Sequence, residues 1–363
     1  MRARARRSGS SRCRQRRDDG GRRRPDTEDD PSGRTEGDCV TTARAYPNIA
    51  LVKYWGKADE TLILPAAGSL SMTLDDYPTT TTVTLDDGED EFRLNGEEQL
   101  GRSADRVTAF LELVRGHARV AGLDTAHYSA RVVSVNEGPT AAGMASSASG
   151  FAALAVAASA AYGLDLDTKE LSRLARRGSG SASRSLIDRF AVWHAGDDED
   201  SFAEQIDAPD MAMISVPVST GKKAVSSRNG MVATQETSPF YDAWVSSTEV
   251  TLREMIAACA AGDVTRIGEL SENHAIRMHA VIAASQPSIR YLTPASIAVF
   301  DEIAALRAEG IEAYATADAG PNVFAITRPE LAETVSARLA PLATGEAKIL
   351  GPGPGARLIG DGE

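Results

Sequence analysis

Cysteine is scarce. The 363-residue chain has three, Cys13, Cys39 and Cys259, too few and too scattered for a disulfide framework or a zinc site. A reducing cytoplasm is the compartment that suits this usage. Long apolar runs are missing too. No stretch approaches the roughly 18 to 20 residues of a membrane span. The most apolar one, Ala152 to Tyr162, is short and alanine-rich. The N-terminal segment lacks the apolar core of a signal peptide. Two familiar nucleotide motifs are also absent. GxxxxGK[ST] fails because Val216 stands where its first Gly belongs, and "GSGSAS" puts Ser183 at the last Gly of GxGxxG. His274 and His279 are five apart, not the four that share a helical face, which argues against a two-histidine metal site and for structural roles.

Positive charge is in short supply outside the N-terminus. The formal charge is −12, yet residues 1–40 hold 12 Arg and 8 acidic residues, so the remainder carries −16. An acidic body argues against nucleic-acid binding. An anionic substrate must therefore be held by a local cluster of Lys and Arg. Residues 1–40 contain almost no apolar side chains and are expected to form a disordered, Arg-rich extension. An RNA-binding arm and a start placed too early, with translation beginning near Val40, remain open alternatives.

The body interleaves strands and helices without a repeating βα rhythm, which predicts an α+β fold. Strand signatures lie in "ARAYPNIALVKYW", in the alternating "SLSMTLDDYPTTTTVTLDD" and in "AHYSARVVSVNEGP". "EFRLNGEEQL" reads as a strand entering an Asn-Gly turn. Helices are predicted over 103–121, 150–162 and 168–177, two more either side of Gly262, and others over 293–310 and 329–340. Strands over 211–219, "EAYATA" and "NVFAI" complete the second half, with "DAGP" between the last two. "GPGPG" (351–355) reads as a stiffened structural turn.

"PTAAGMASSASG" (139–150) places small, hydroxyl-bearing residues at the mouth of an alanine-rich helix. The first four N–H groups of a helix lack partners and carry partial positive charge. A loop of small residues lets a phosphate chain approach them, and serine hydroxyls add donors. The segment suits a phosphate cradle, although a serine-capped helix gives the same pattern.

Joined to "YPNIALVKYWGK" (46–57), "RRGSGSASRS" (176–185) and "ADAGPN" (317–322), this stretch resembles the diphosphomevalonate decarboxylase family of the GHMP kinase superfamily. The resemblance covers about residues 43–360, in order. It implies the GHMP kinase fold: an N-terminal half like a ribosomal-protein domain, a ferredoxin-like C-terminal half, and a cleft between them. On that basis residues 41–219 are read as the N-terminal unit and 220–363 as the C-terminal unit. The implied reaction is ATP-dependent decarboxylation of mevalonate 5-diphosphate to isopentenyl diphosphate, with Mg²⁺, in the cytoplasm, by a homodimer that binds neither membrane nor nucleic acid. Relatives acting on mevalonate 5-phosphate, or phosphorylating the 3-hydroxyl without decarboxylation, are the nearest alternatives, and a non-catalytic binding protein is a more distant one.

The same resemblance assigns residues. Asp318 would take the catalytic role at the 3-hydroxyl, Lys53 would organise it, and Arg184 would orient the substrate carboxylate with Asn48. Tyr54, Lys57, Ser179, Gly180, Ser181, Ser227 and Arg228 would grip the diphosphate. Pro139, Gly143, Ser146 and Ser147 would border the nucleotide, with Ser146 also near Mg²⁺. Read without the family, Lys53 and Lys57 suit an edge strand, "SSRNG" (226–230) a turn, and Asp318 a turn-forming Asp. Trp55 and Trp193 are expected to pack around the cleft and Trp244 against a helix. One departure stands out. Many family members have a Gly-Gly pair where this chain has Asp188 and Arg189, which suggests a narrowed pocket near Arg184.

Overall fold

The computed structural model describes residues 40–138, 146–219, 221 and 223–360. The Arg-rich extension to residue 39, Pro139 and Gly143 lie outside the described residues, as does the side chain of Ser146.

Alternating threonines build the first sheet. Its strands run, in spatial order, Arg357–Ile359, Val40–Ala45, Thr79–Asp86, Ser129–Asn136, Glu91–Leu94 and Glu97–Glu98. Thr79, Thr81 and Val83 turn inward and are buried, while Thr80, Thr82 and Thr84 face outward. The inward hydroxyls are satisfied, Thr79 by Ser149 at 2.7 Å and Thr81 by Ser134 at 2.8 Å. The hairpin between Glu91–Leu94 and Glu97–Glu98 turns through Asn95 and Gly96, at φ 51° and 83°, the left-handed pair that an Asn-Gly turn supplies.

Helices α1 (Arg102–Val120), α2 (Ser146–Ala161) and α3 (Thr168–Gly178) cover the inner face. From Ala148 to Ala161, α2 is buried on nearly every side, and its alanines let the first sheet, α3 and the segment after it approach closely. Asp167 opens α3 with a capping box to Glu170. A Cβ on Gly178 would sit 2.0 Å from Phe151 Cδ1, so only glycine fits where α3 meets α2.

A second sheet orders Ala203–Gln205, Phe190–Trp193, Ser69–Thr73 and Asn48–Val52; a third orders Ala313–Thr316, Val323–Thr327, Ala212–Val216 and Lys348–Leu350. Four further helices follow: α4 (Ser227–Thr237), α5 (Tyr241–Ala261), α6 (Val264–Ala283) and α7 (Pro294–Ala308). Gly262, at φ 68°, separates α5 from α6 as expected. Ile49, Leu51, Leu70 and Met72 of the second sheet share one core with Met213 and Ile326 of the third and with Met255 and Ile267 of α5 and α6. The alternate residues Ile214 and Val216 enter another core, beneath α7 and α8 (Ala332–Leu339). Ala212–Val216, which precedes the expected boundary at 219, pairs in the third sheet, and Arg357–Ile359, which follows it, pairs in the first. Each side of that boundary thereby contributes a strand to a sheet built mostly by the other.

Candidate active site

The cleft has a volume of about 320 Å³ and is lined from both halves of the chain. Strand Asn48–Val52 delivers Lys53, Tyr54, Trp55 and Lys57 to it; the loop after Ala313–Thr316 delivers Asp318. Lys53 is 1% exposed and Asp318 30%. The Lys53 ammonium donates to Asp318 Oδ1 and to the Ala50 carbonyl, each at 2.7 Å. Burial pulls Lys53 below the ordinary lysine value, and the Asp318 charge opposes that pull. The chain does not stay extended through "KYWGK". The strand ends at Val52, and Gly56 turns at φ 118°, where the Tyr241 hydroxyl would lie 2.0 Å from any Cβ.

Arg184 sits in the 3₁₀ helix Gly180–Leu186, a little over two turns long, and is 2% exposed. Its guanidinium donates to Ser69 Oγ at 2.6 Å, Ser71 Oγ at 3.0 Å and Asn48 Oδ1 at 3.2 and 3.3 Å. Hydroxyl and amide oxygens hold it, so its charge is oriented without being neutralised. Burial pushes it down to about 10. Asn48 Nδ2 is engaged by Ser181 O and Ser185 Oγ. Asn48 therefore faces Arg184 and the protein, and does not line the open cleft.

Six cations, Lys53, Lys57, Arg106, Arg184, Lys223 and Arg228, line the cleft against the single carboxylate of Asp318 among the described lining residues. Lys57 is partly balanced by Glu60 at 2.5 Å. Ser147 Oγ lies 3.3 Å from Ser179 Oγ, which lies 3.4 Å from Ser181 Oγ, so the start of α2 and "GSGSASR" share one hydroxyl-rich wall. Tyr54 stands on Gly180, where a Cβ would lie 2.8 Å from its ring and hydroxyl. Its ring meets Trp193 edge-on at 4.8 Å. Tyr54 Oη and Trp55 Nε1 are buried donors without a partner among the described residues, a costly arrangement unless a further group completes it.

Two cationic lining residues were not singled out by sequence. Arg106 is on α1, donates to Gly178 O at 2.9 Å and covers the Phe151 ring at 4.9 Å. Lys223 stands in the approach to α4, and burial lowers its pKa while Asp318 raises it. Ser227 and Arg228 do line the cleft, but not from a turn. Ser226 caps α4, and the Asn229–Gly230 pair lies inside its first turns. Gly230 is required by packing, since a Cβ there would meet Tyr291 Oη at 2.4 Å and the Trp55 ring at 3.1 Å. His279 on α6 packs beside the Ala317 and Asp318 backbone; burial and the Lys53 charge push it down to about 4.

Asp188 and Arg189 do not narrow the pocket. Both side chains are exposed, and neither lines the cleft. Asp188 Oδ1 accepts from Gly355 N–H at 2.6 Å, and Arg189 N–H donates to Gly353 O at 2.8 Å. They clasp the "GPGPG" turn instead. Arg189 adopts φ 57°, the left-handed region that favours glycine. Trp193 is buried in its strand and Trp244 in α5, where its indole donates to Trp55 O at 2.8 Å.

Oxygen-rich hydroxyls, one carboxylate and many cations form a set that accepts a polyphosphate. Among the described residues no cluster of three His, Cys, Asp or Glu could hold a metal alone. A hard divalent cation here fits only with phosphate oxygens as most of its ligands.

The chain matches two family models, a diphosphomevalonate decarboxylase-like N-terminal domain over residues 45–203 and a mevalonate 5-diphosphate decarboxylase C-terminal domain over 212–349. It is 38% identical over 323 residues to the diphosphomevalonate decarboxylase of Bos taurus, covering 82% of this chain and 79% of that one. A solved structure described as MDDEF in complex with MVAPP, AMPPCP and magnesium is 44% identical, with a TM-score of 0.83 over 89% of this chain and 99% of that one. The mevalonate diphosphate decarboxylase from Enterococcus faecalis is similar at 43% identity and a TM-score of 0.82, over the same shares.

Proposed function

The chain belongs to the diphosphomevalonate decarboxylase family, and from that premise we propose how its own residues carry the reaction. The activity is ATP- and Mg²⁺-dependent decarboxylation of mevalonate 5-diphosphate to isopentenyl diphosphate, ADP, phosphate and CO2. The observation that carries the residue reading is the Lys53–Asp318 pair set among five further cations that line the cleft.

Asp318 accepts the proton of the 3-hydroxyl as that oxygen bonds to the γ-phosphorus and ADP leaves. A tertiary alcohol is a poor nucleophile, so positioning supplies most of the acceleration. Lys53 orients the Asp318 carboxylate for that contact. In the second stage the C3–O bond breaks and phosphate leaves with its electron pair. The C1–C2 bond then breaks, and its pair forms the new C2–C3 double bond as CO2 departs. Asp318 passes the proton it took to the departing phosphate, and as a carboxylate again it stabilises the positive character that develops at C3. Arg184 holds the C1 carboxylate with its planar fork, and Asn48 steadies Arg184.

Tyr54, Lys57, Ser179, Gly180, Ser181, Ser227 and Arg228 receive the substrate diphosphate, with Arg106 beside them. Ser147 and the start of α2 border the nucleotide; Pro139, Gly143 and Ser146 are assigned there by family resemblance alone. Mg²⁺, when bound, neutralises charge between nucleotide phosphates, with Ser146 or Ser147 as a hydroxyl neighbour.

The finer setting is also proposed. A homodimer rests on family resemblance and is tested by sedimentation equilibrium. A cytoplasmic location rests on the scarcity of cysteine and is tested by fractionation. No described helix is long and apolar enough to cross a membrane.

The test of the reaction is incubation of the full chain with ATP, Mg²⁺ and carboxyl-labelled substrate. Labelled CO2 released in step with ADP supports the assignment. ADP without CO2 marks a kinase, and neither product marks a protein that only binds.

A further inference from the structure

Lys53 stands just past the end of strand Asn48–Val52, where the sheet stops supplying backbone partners. Helices α5 and α6 supply them instead. Lys53 N–H donates to His274 Nδ1 at 3.0 Å, and the Trp244 indole donates to the Trp55 carbonyl at 2.8 Å. His274 and Trp244 lie against one another with ring centroids 4.5 Å apart. Because Nδ1 accepts, the imidazole proton is on Nε2, 3.1 Å from Thr248 Oγ1. The Thr248 hydroxyl donates onward to Trp244 O at 2.8 Å. Every donor in this cluster has one acceptor, and His274, Thr248 and Trp244 are all buried.

We propose that His274, held in its Nε2–H tautomer between the Lys53 N–H and Thr248, is a positioning residue for Lys53. It holds the Lys53 backbone while Asp318 and Ala50 hold the ammonium, so it sets where that ammonium meets the carboxylate. His274 touches no reacting atom; it acts through Lys53, and the inference rests on the role given to Lys53 above. Three features support it. The acceptor is aimed at a backbone group flanking the Lys53 side chain. The Thr248 hydroxyl, spent on Trp244 O, is left to accept from Nε2–H, which suits the tautomer that Lys53 N–H requires. Burial and the charges of Arg277 and Lys53 keep the imidazole neutral, which the accepting nitrogen requires. A residue serving packing alone needs neither the nitrogen nor the tautomer.

The experiment compares steady-state CO2 release by the full chain with His274→Leu, His274→Asn, Thr248→Val and Thr248→Ser, per mole of folded protein. An ångström-scale misplacement of a catalytic group costs as much as about 100-fold, so His274→Leu is expected to lower kcat at least about tenfold, with KM for both substrates within about threefold. His274→Asn should recover most of that loss, because its Oδ1 accepts from the same Lys53 N–H. Thr248→Val should fall between, and Thr248→Ser should stay near the parent. The inference is overturned if the Leu and Asn variants are equally slow, if Leu matches the parent, or if only KM moves. Should His274→Leu fail to fold, the valine and serine variants at 248 decide: equal kcat values overturn it. CO2 release by the parent is measured alongside. A parent that releases none refutes the family reaction, whereas an active parent with unaffected variants refutes only the role of His274.

Discussion

The Lys53 ammonium lies 2.7 Å from Asp318 Oδ1, joining residues 265 apart in sequence. The contact fastens the strand end of one half to the loop of the other, and the cleft opens around it. Its chemistry follows from unequal burial, a nearly inaccessible cation beside a carboxylate that solvent and substrate can reach.

Burial lowers the pKa of Lys53, so the free enzyme loses that ammonium at a lower pH than an ordinary lysine does. Lys223 is lowered for the same reason. A bound polyanion favours the charged forms and moves both values back up. The alkaline limb of kcat/KM, which reports the free enzyme, should therefore lie at lower pH than the limb of kcat, which reports the complex. Initial rates across the alkaline range check this; coincident or reversed limbs would contradict it.

Close packing predicts two glycine effects. Gly178→Ala drives a Cβ into the Phe151 ring and should cost about 1–3 kcal/mol of stability in urea unfolding. Gly180→Ala presses on Tyr54, so it should raise KM for the diphosphate substrate more than it lowers kcat. Equal stability of the Gly178→Ala protein, or an unmoved KM for Gly180→Ala, would show that the neighbours give way freely.

The clasp on the C-terminal turn predicts stability changes without catalytic ones. Asp188→Ala removes the acceptor for Gly355 N–H and should cost about 1 kcal/mol. Arg189→Gly relieves a left-handed backbone worth about 1–2 kcal/mol and loses an exposed ion pair with Asp210 that is worth little. Added chain entropy in the unfolded state offsets part of that gain, so the net change should be small and favourable. Turnover should stay within about twofold for both, as for surface changes away from a site. A large fall in kcat with unchanged unfolding would place these residues in the cleft after all.

Local chemistry made much of this molecule readable. The threonine alternation, the Asn95–Gly96 hairpin and the Gly262 break each depend on a few neighbouring residues. That Lys53, Arg184 and Asp318 gather in one cleft was legible only through four motifs taken together, since each residue alone suits an ordinary structural setting. Arg106 was not legible, because an arginine on an amphipathic helix looks like a solvated face until Gly178 and Phe151 are folded against it. Helix α4 was hidden by Asn229–Gly230, a turn signal overridden by the packing of Trp55 and Tyr291 on Gly230. Asp188 and Arg189 were misplaced because sequence proximity to Arg184 says nothing about which side of the chain they leave from.

Asp318→Asn puts the central claim to the most direct test. The variant keeps the shape of the side chain but removes its capacity to accept the hydroxyl proton. Substrate and nucleotide affinities are measured by calorimetry, and labelled CO2 is followed over a single turnover. The account predicts affinities close to the parent and release slowed by about 10²- to 10⁴-fold. Release at the parental rate from fully bound substrate would contradict it.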